Sequence, residues 1–315
     1  MFYYSLRHLN GFLNASSMSK SGEYMWEMTD NTGAVRKNYG GSTSWVTATG
    51  LPANPMRGVS LSGDGLTVLA CVWTNGTYVA TGGSTSSWAY VFPRNDYRWG
   101  GNLSHTGQYG VTFAITNGYY PNTTNNYFTS VTERRPAGTS TNQVGFVDTS
   151  YTGQYMLTSY TYYRNWLSSD YGVNWSEIRP VGNVNNTNLP GDSDMSSDAN
   201  IIYMSVNSRI YKSINRGSTW AEIQPLGNNN YSWRLACSAD GQTVIASGNF
   251  RAYISSDGGT TWEEAMPRGS TNVVWSSIDM SYSGNTAWMG TTDNGNVSYT
   301  VHKNITSKMP MFRIY

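Results

Sequence analysis

A chain of 315 residues with 12% charged side chains, 24 tyrosines and 12 tryptophans is too aromatic to be disordered. Its formal net charge of +1 gives no electrostatic case for nucleic acid or an anionic membrane as partner. Its two cysteines, Cys71 and Cys237, cannot build a disulfide scaffold or a cysteine-based zinc site, no stretch approaches the ~18 apolar residues of a membrane span, and the start is not read as a secretory signal.

In chain order, one unit recurs: a strand ending on serine, a tight turn, then an apolar strand. It reads SKSGEYMW from Ser19, SGDGLTVLA from Ser62, SHTGQYGVTF from Ser104 and SYTGQYMLTS from Ser150. It continues as SSDANIIYMS from Ser196, SADGQTVIAS from Ser238 and SYSGNTAWMG from Ser281. These anchor serines are 43, 42, 46, 46, 42 and 43 residues apart. Three positions on stands Gly22, Gly65, Gly107, Gly153, Gly241 or Gly284, with Ala199 followed by Asn200 as the exception. Gly or Asn suits a hairpin turn that needs positive φ. Units of about 44 residues match propeller blades. The expected fold is therefore all-β: a seven-bladed β-propeller of four-stranded antiparallel blades, with residues 1–315 as a single domain.

A second element follows the anchor in five units. It is clearest as LSSDYGVNW from Leu167, YKSINRGSTW from Tyr211 and YISSDGGTTW from Tyr253. Weaker versions, YGGSTSW from Tyr39 and TGGSTSSW from Thr81, keep Trp45 and Trp88 but not the Asp, and units three and seven are read as having lost it. Asp170, Asn215 and Asp257 are expected to accept backbone N–H groups in the turn. Gly172, Gly217 and Gly259 would take the positive-φ position, and Trp175, Trp220 and Trp262 would pack between sheets. The pattern resembles the Asp-box (BNR repeat), S-x-D-x-G-x-T-W, of sialidases and of several families of non-enzymatic propellers. Because these Asp residues recur blade after blade, they are expected to be structural rather than catalytic or calcium-binding.

Each blade then runs as strands a to d, with the a–b and c–d turns on one face and the variable b–c and d–a loops on the other. Met311 to Tyr315 is a plausible outer strand for the last blade, and Phe2 to Leu6 pairs beside it or leads into the first inner strand.

The chemistry of a sialidase is not matched. Such enzymes clamp a sugar carboxylate with arginines, the first in an early F-R-I-P motif, whereas Phe312-Arg313-Ile314 lies at the far end with Tyr315 in place of Pro. Glu133-Arg134-Arg135-Pro136 reads as a solvated loop. A glycosidase needs two carboxylates across a cleft, and the acids at Asp64, Asp170, Asp240 and Asp257 belong to turns. His8, His105 and His302 are isolated, with no metal-binding spacing, and His105 reads as a polar turn residue. No catalytic residue, metal or cofactor is expected.

Binding is the better expectation, on the face of variable loops. Tyr119, Tyr120 and Tyr127 come from the long segment after strand b of unit three, Tyr162, Tyr163 and Arg164 from the next unit, and Arg94, Tyr97 and Arg98 from the preceding connection. Tyr and Arg are enriched where proteins make their strongest contacts. The composition and turn motif resemble structural or attachment proteins of viruses and phages. The expected role is non-enzymatic binding of protein or glycan at a virion or cell-exterior surface, within a larger assembly such as a virion or filament. A sialidase-like or other glycoside hydrolase is the first alternative; an intracellular, cytoplasmic assembly factor for a membrane complex is the second.

Overall fold

The anchor serines earn their regularity from the backbone. In all seven a–b turns the serine Oγ accepts the N–H five residues on, as from Tyr24 to Ser19 (2.9 Å) and from Thr67 to Ser62 (2.8 Å). A carbon side chain there would orphan a buried donor. The Gly three positions on must accept positive φ and a close neighbour. At Gly153 (φ 78°) a Cβ would lie 2.4 Å from Tyr109 Cβ of the preceding blade. Ala199, the exception, keeps φ at 56°.

The computed structural model describes residues 2–8, 13–29, 34–39, 44–52, 56–72, 76–92, 98–114, 120–137, 144–160, 164–180, 190–223, 225, 233–248, 251–265, 275–291 and 297–303. The chain opens with β1 (Phe2–His8). Blade 1 is β2 (Leu13–Met18), β3 (Tyr24–Thr29), β4 (Ala34–Tyr39) and β5 (Val46–Thr47). Blade 2 is β6 (Met56–Leu61), β7 (Val68–Val72), β8 (Gly76–Ala80) and β9 (Ala89–Phe92). Blade 3 is β10 (Arg98–Leu103), β11 (Gly110–Ala114), β12 (Pro121–Thr124) and β13 (Thr132–Glu133). Blade 4 is β14 (Val144–Thr149), β15 (Met156–Tyr160), β16 (Arg164–Ser168) and β17 (Ser176–Ile178). Blade 5 is β18 (Pro190–Met195), β19 (Ile202–Val206), β20 (Arg209–Ser213) and β21 (Ala221–Glu222). Blade 6 is β22 (Arg234–Cys237), β23 (Val244–Gly248), β24 (Arg251–Ser255) and β25 (Glu263–Ala265). The remaining strands are β26 (Trp275–Met280), β27 (Thr286–Thr291) and β28 (Val297–Lys303).

The expectation of seven four-stranded blades is corrected by this topology in how the ring is made up. Six four-stranded antiparallel blades are cut from consecutive sequence, and the last sheet is a composite in the order β1-β28-β27-β26. The edge of β28 is filled by β1, from Phe2 opposite Lys303 to His8 opposite Val297. Residues 311–315, the other candidate for that edge, lie outside the described residues. The innermost strands pack in the order β2, β6, β10, β14, β18, β22 and β26, and β26 returns to β2, so the propeller is a closed ring.

The second strands lie between sheets that cover both their faces: β7, β15, β19 and β23 are buried at every position, the hydroxyls of Thr158, Ser159, Ser205 and Ser247 included. The core accordingly lies between blades rather than at the axis. One cluster packs Trp26 and Val35 of blade 1 against Met56, Leu61 and Val68 of blade 2. Another packs Leu157 and Leu167 of blade 4 against Met195, Ile202 and Met204 of blade 5. Cys71 and Cys237 are buried and not disulfide-bonded.

Candidate functional site

Around the axis, the residue after the anchor serine donates its N–H to the next blade in six blades, and in blade 2 the donor is one residue further on. Lys20 N–H donates to Gly63 O (2.9 Å), Asp64 N–H to His105 O (2.8 Å) and His105 N–H to Tyr151 O (2.8 Å). The series runs on from Tyr151 to Ser197 O (3.1 Å), Ser197 to Ala239 O (2.8 Å), Ala239 to Tyr282 O (2.9 Å) and Tyr282 to Lys20 O (2.7 Å). Seven hydrogen bonds thus close an annulus that fixes the backbone from which these side chains project.

Four of those side chains meet. The His105 and Tyr151 rings stack at 4.2 Å and 16°, Tyr282 meets Tyr151 edge-on at 5.1 Å and 75°, and the Lys20 ammonium lies 5.7 Å from the Tyr282 ring centre. Gly63 makes the arrangement possible, since a Cβ there would lie 2.3 Å from His105 Nδ1 and 2.7 Å from Lys20 Cγ. Together with the neighbouring turns these groups line a pocket of about 670 Å³, within the range of ligand pockets. Ser21, Thr152, Gln154, Tyr155, Ser197, Asp198 and Arg216 complete its wall. The Arg216 guanidinium lies 5.0 Å over the Tyr155 ring.

Beneath the annulus, polar side chains two residues before the anchors tie inner strands together. Asp279 accepts Met18 N–H (2.7 Å), Asp194 accepts Cys237 N–H (2.6 Å), and Asp148 accepts the Asn102 amide (2.7 Å). Asp192, two residues further down β18, accepts Leu235 N–H (3.0 Å). Burial pushes the Asp148 carboxyl well above its usual range, and nearby Asp194 adds to the shift. Burial also raises Asp192, Asp194 and Asp279. For Lys20 burial acts downward, but Asp194, Asp279 and Asp148 outweigh it and hold the ammonium above its ordinary value. Among the described residues no three His, Cys, Asp or Glu side chains converge as a metal-binding group.

The c–d turns occupy the same face as this pocket. In blade 4, Asp170 Oδ1 accepts Asn174 N–H (2.8 Å) while Ser168 Oγ accepts Gly172 N–H (2.9 Å). Asn215 with Gly217 and Asp257 with Gly259 repeat this geometry. Gly172, Gly217 and Gly259 have φ of 79°, 78° and 87°. Trp220 Nε1 donates to Gly217 O and Trp262 Nε1 to Ile223 O, while Trp175 packs on Phe113, Tyr160 and Trp166. Donors from the Thr261 side chain and backbone, with Ser255, hold the Asp257 carboxyl down to about 2. These groups are spent on the turn.

Unit three retains a turn that its sequence disguises. Thr124 Oγ1 accepts Phe128 N–H (3.1 Å) and Asn126 Oδ1 accepts Ser130 N–H (3.1 Å), so Phe128, at φ 61°, stands where other blades have Gly. This corrects the placement of Tyr127. It lies in the c–d turn, at the opposite end of β12 from Tyr120, and not in the b–c loop. Tyr120 is buried at 6% exposure, with the Arg135 guanidinium 3.6 Å over its ring. Arg164 faces Glu177 at 3.5 Å, a pairing repeated by Arg209 with Glu222 and Arg251 with Glu264 in the next two blades. Arg164 thus shares in a strand c to strand d pairing that recurs within blades 4, 5 and 6. Tyr119, Tyr162, Tyr163, Arg94 and Tyr97 lie outside the described residues, and Arg98 is placed only as the first residue of β10. The pocket on the turn face was not anticipated. The one readable sign was the column after each anchor, where Lys20, His105, Tyr151 and Tyr282 replace small residues.

No family model and no curated protein sequence matches the chain. Solved structures do. YCF48 bound to D1 peptide aligns with a TM-score of 0.72 at 13% identity, over 96% of this chain and 97% of that one. The β-propeller domain of Cps50 (Swd1) from Myceliophteria thermophila aligns with a TM-score of 0.70 at 12% identity, over 93% of this chain and 96% of that one. At these identities the likeness is one of fold: the chain is a β-propeller similar in architecture to both.

Proposed function

We propose that the protein is a non-enzymatic recognition module that seats a protein or glycan partner in the turn-face pocket, in the setting of a virion surface or appendage. The observation that carries the reading is the pocket's aromatic wall, His105, Tyr151 and Tyr282, mounted on a backbone ring closed by its own hydrogen bonds. Such a wall is ordered before any ligand arrives, which reduces the entropy cost of binding. A structure of the same fold bound to a peptide supports a scaffold role for holding partners. Low charge and abundant Asn, Ser, Thr and Gly support the surface setting, as does the resemblance of the c–d turns to the Asp-box. The reading is tested by presenting peptide and glycan arrays to the whole chain and to a Tyr151→Ala/Tyr282→Ala variant. Ligands retained by the wild type should be lost by about tenfold or more in affinity, as for aromatic anchors at binding sites. Undiminished capture by the variant would remove the pocket from the proposal. Cosedimentation of the protein with virus-like particles or filaments checks the setting.

A further inference from the structure

We infer that the turn-face pocket takes a neutral oligosaccharide, an inference that rests on the recognition role proposed above. Three observations point to this ligand chemistry. The first is the ring arrangement. The stacked His105–Tyr151 pair and the edge-on Tyr282 present two apolar surfaces at a steep angle. Around them stand the hydroxyls of Ser21, Thr152 and Ser197 and the amide of Gln154. Apolar ring faces bordered by many small donors and acceptors suit a molecule whose own faces are C–H and whose edges are hydroxyl.

The second is the charge state. Each cation of the pocket stands in the field of at least one carboxylate. Lys20 is surrounded by Asp194, Asp279 and Asp148, and Asp198 feels Arg216 beside it. A carboxylate or sulfate entering here would meet the field of these same aspartates, which a neutral ligand does not. The Lys20 ammonium nevertheless has no acceptor within hydrogen-bonding reach among the described residues, although it lines the pocket. A charged donor without an acceptor is suited to a neutral ligand oxygen.

The third is the backbone. A peptide recognised through its main chain needs free N–H and C=O groups, as at a sheet edge. The annular groups from Lys20 to Tyr282 are consumed by the ring, and Gln154 O and Asn200 O by Tyr171 and Arg216 N–H. The pocket offers side chains instead.

The whole chain is first screened on a printed array of neutral and acidic glycans and of peptides. It is then titrated by calorimetry with maltotriose, chitotriose and N-acetyllactosamine, and with 3′-sialyllactose as the acidic counterpart. The expected result is binding of a neutral saccharide that Tyr151→Ala and Lys20→Met each weaken about tenfold, while Tyr151→Phe holds it within about threefold. Tyr151 is 38% exposed, so its substitution decides the matter if Lys20→Met does not fold. Preference for the acidic sugar, or neutral binding indifferent to Tyr151→Ala, overturns the inference. A peptide hit lost in Tyr151→Ala, with no saccharide bound, overturns it and leaves the recognition role standing. Absence of any ligand overturns both.

Discussion

At Asp148 one carboxylate oxygen is satisfied by Asn102 and Thr149, while Oδ2 is buried with no hydrogen-bond partner. Burying an ionised carboxylate costs free energy unless its lone pairs are met. The cause lies in closure of the ring, which carries Asp148 inward on β14 beside Asp194. Because the folded-state pKa is raised above the ordinary 3.8, the native state binds the proton more tightly than the unfolded chain. Stability is then greatest below that ordinary value and falls as pH rises through the folded one. Lys20, held above 10.5, contributes equally across this window, and Asp257, at about 2, loses its contribution only below it. Asp148→Asn should therefore flatten the fall in urea midpoint as pH rises above the ordinary carboxylate range, leaving the part that Asp192, Asp194 and Asp279 contribute. At pH 8 its midpoint should equal or exceed that of the wild type. A lower midpoint at pH 8 would show that the ionised carboxylate is net stabilising.

Blade elements were legible in the sequence wherever the backbone dictates a residue type. The Ser Oγ at each anchor accepts a backbone N–H, and Gly three residues on fits both positive φ and a close neighbour, so both recur visibly. Where a side chain can replace that requirement, the sign disappears. Phe128 holds φ 61° at the Gly position of blade 3, and at 1% exposure it fills the cluster of Leu69, Val79 and Leu103. Packing there outweighs backbone strain, which is why unit three looked like a long loop and Tyr127 was assigned to the wrong face. The pocket was obscure for the converse reason. Its column, Lys20, Gly63, His105, Tyr151, Ser197, Ala239 and Tyr282, has a common backbone role and no common side chain. The two turns should both be destabilised, by opposite changes. Gly172→Ala adds a Cβ 2.5 Å from Thr123 Cγ2 at φ 79° and should destabilise by about 1–3 kcal/mol. Phe128→Gly relieves strain but empties the core, and should still cost about 2 kcal/mol or more. Urea unfolding of both variants checks the pair. A stabilised Phe128→Gly would mean that strain, and not packing, governs that turn.

For the molecule as a whole, the joint between first and last strands holds two unlike kinds of closure. Near the axis, β26 packs on β2, Tyr282 N–H donates to Lys20 O (2.7 Å), and Asp279 accepts Met18 N–H (2.7 Å). At the rim, β1 zips onto β28 over Phe2–His8. The axial closure joins neighbouring sheets and shapes the pocket; the rim closure completes one sheet and lies far from the pocket in its topology. Deleting Phe2–His8 should therefore separate them. Pocket binding by the folded fraction should persist, because the annulus from Lys20 to Tyr282 uses no atom of β1. Stability should fall, and β28 becomes a free edge whose N–H and C=O groups invite pairing between copies. The expected outcome is a lower melting temperature with concentration-dependent association in light scattering, and an unchanged affinity for any ligand found. An equal loss of binding and stability would mean that the two closures act as one cooperative unit. The rim strand would then be as much a part of the recognition site as the ring of turns that surrounds it.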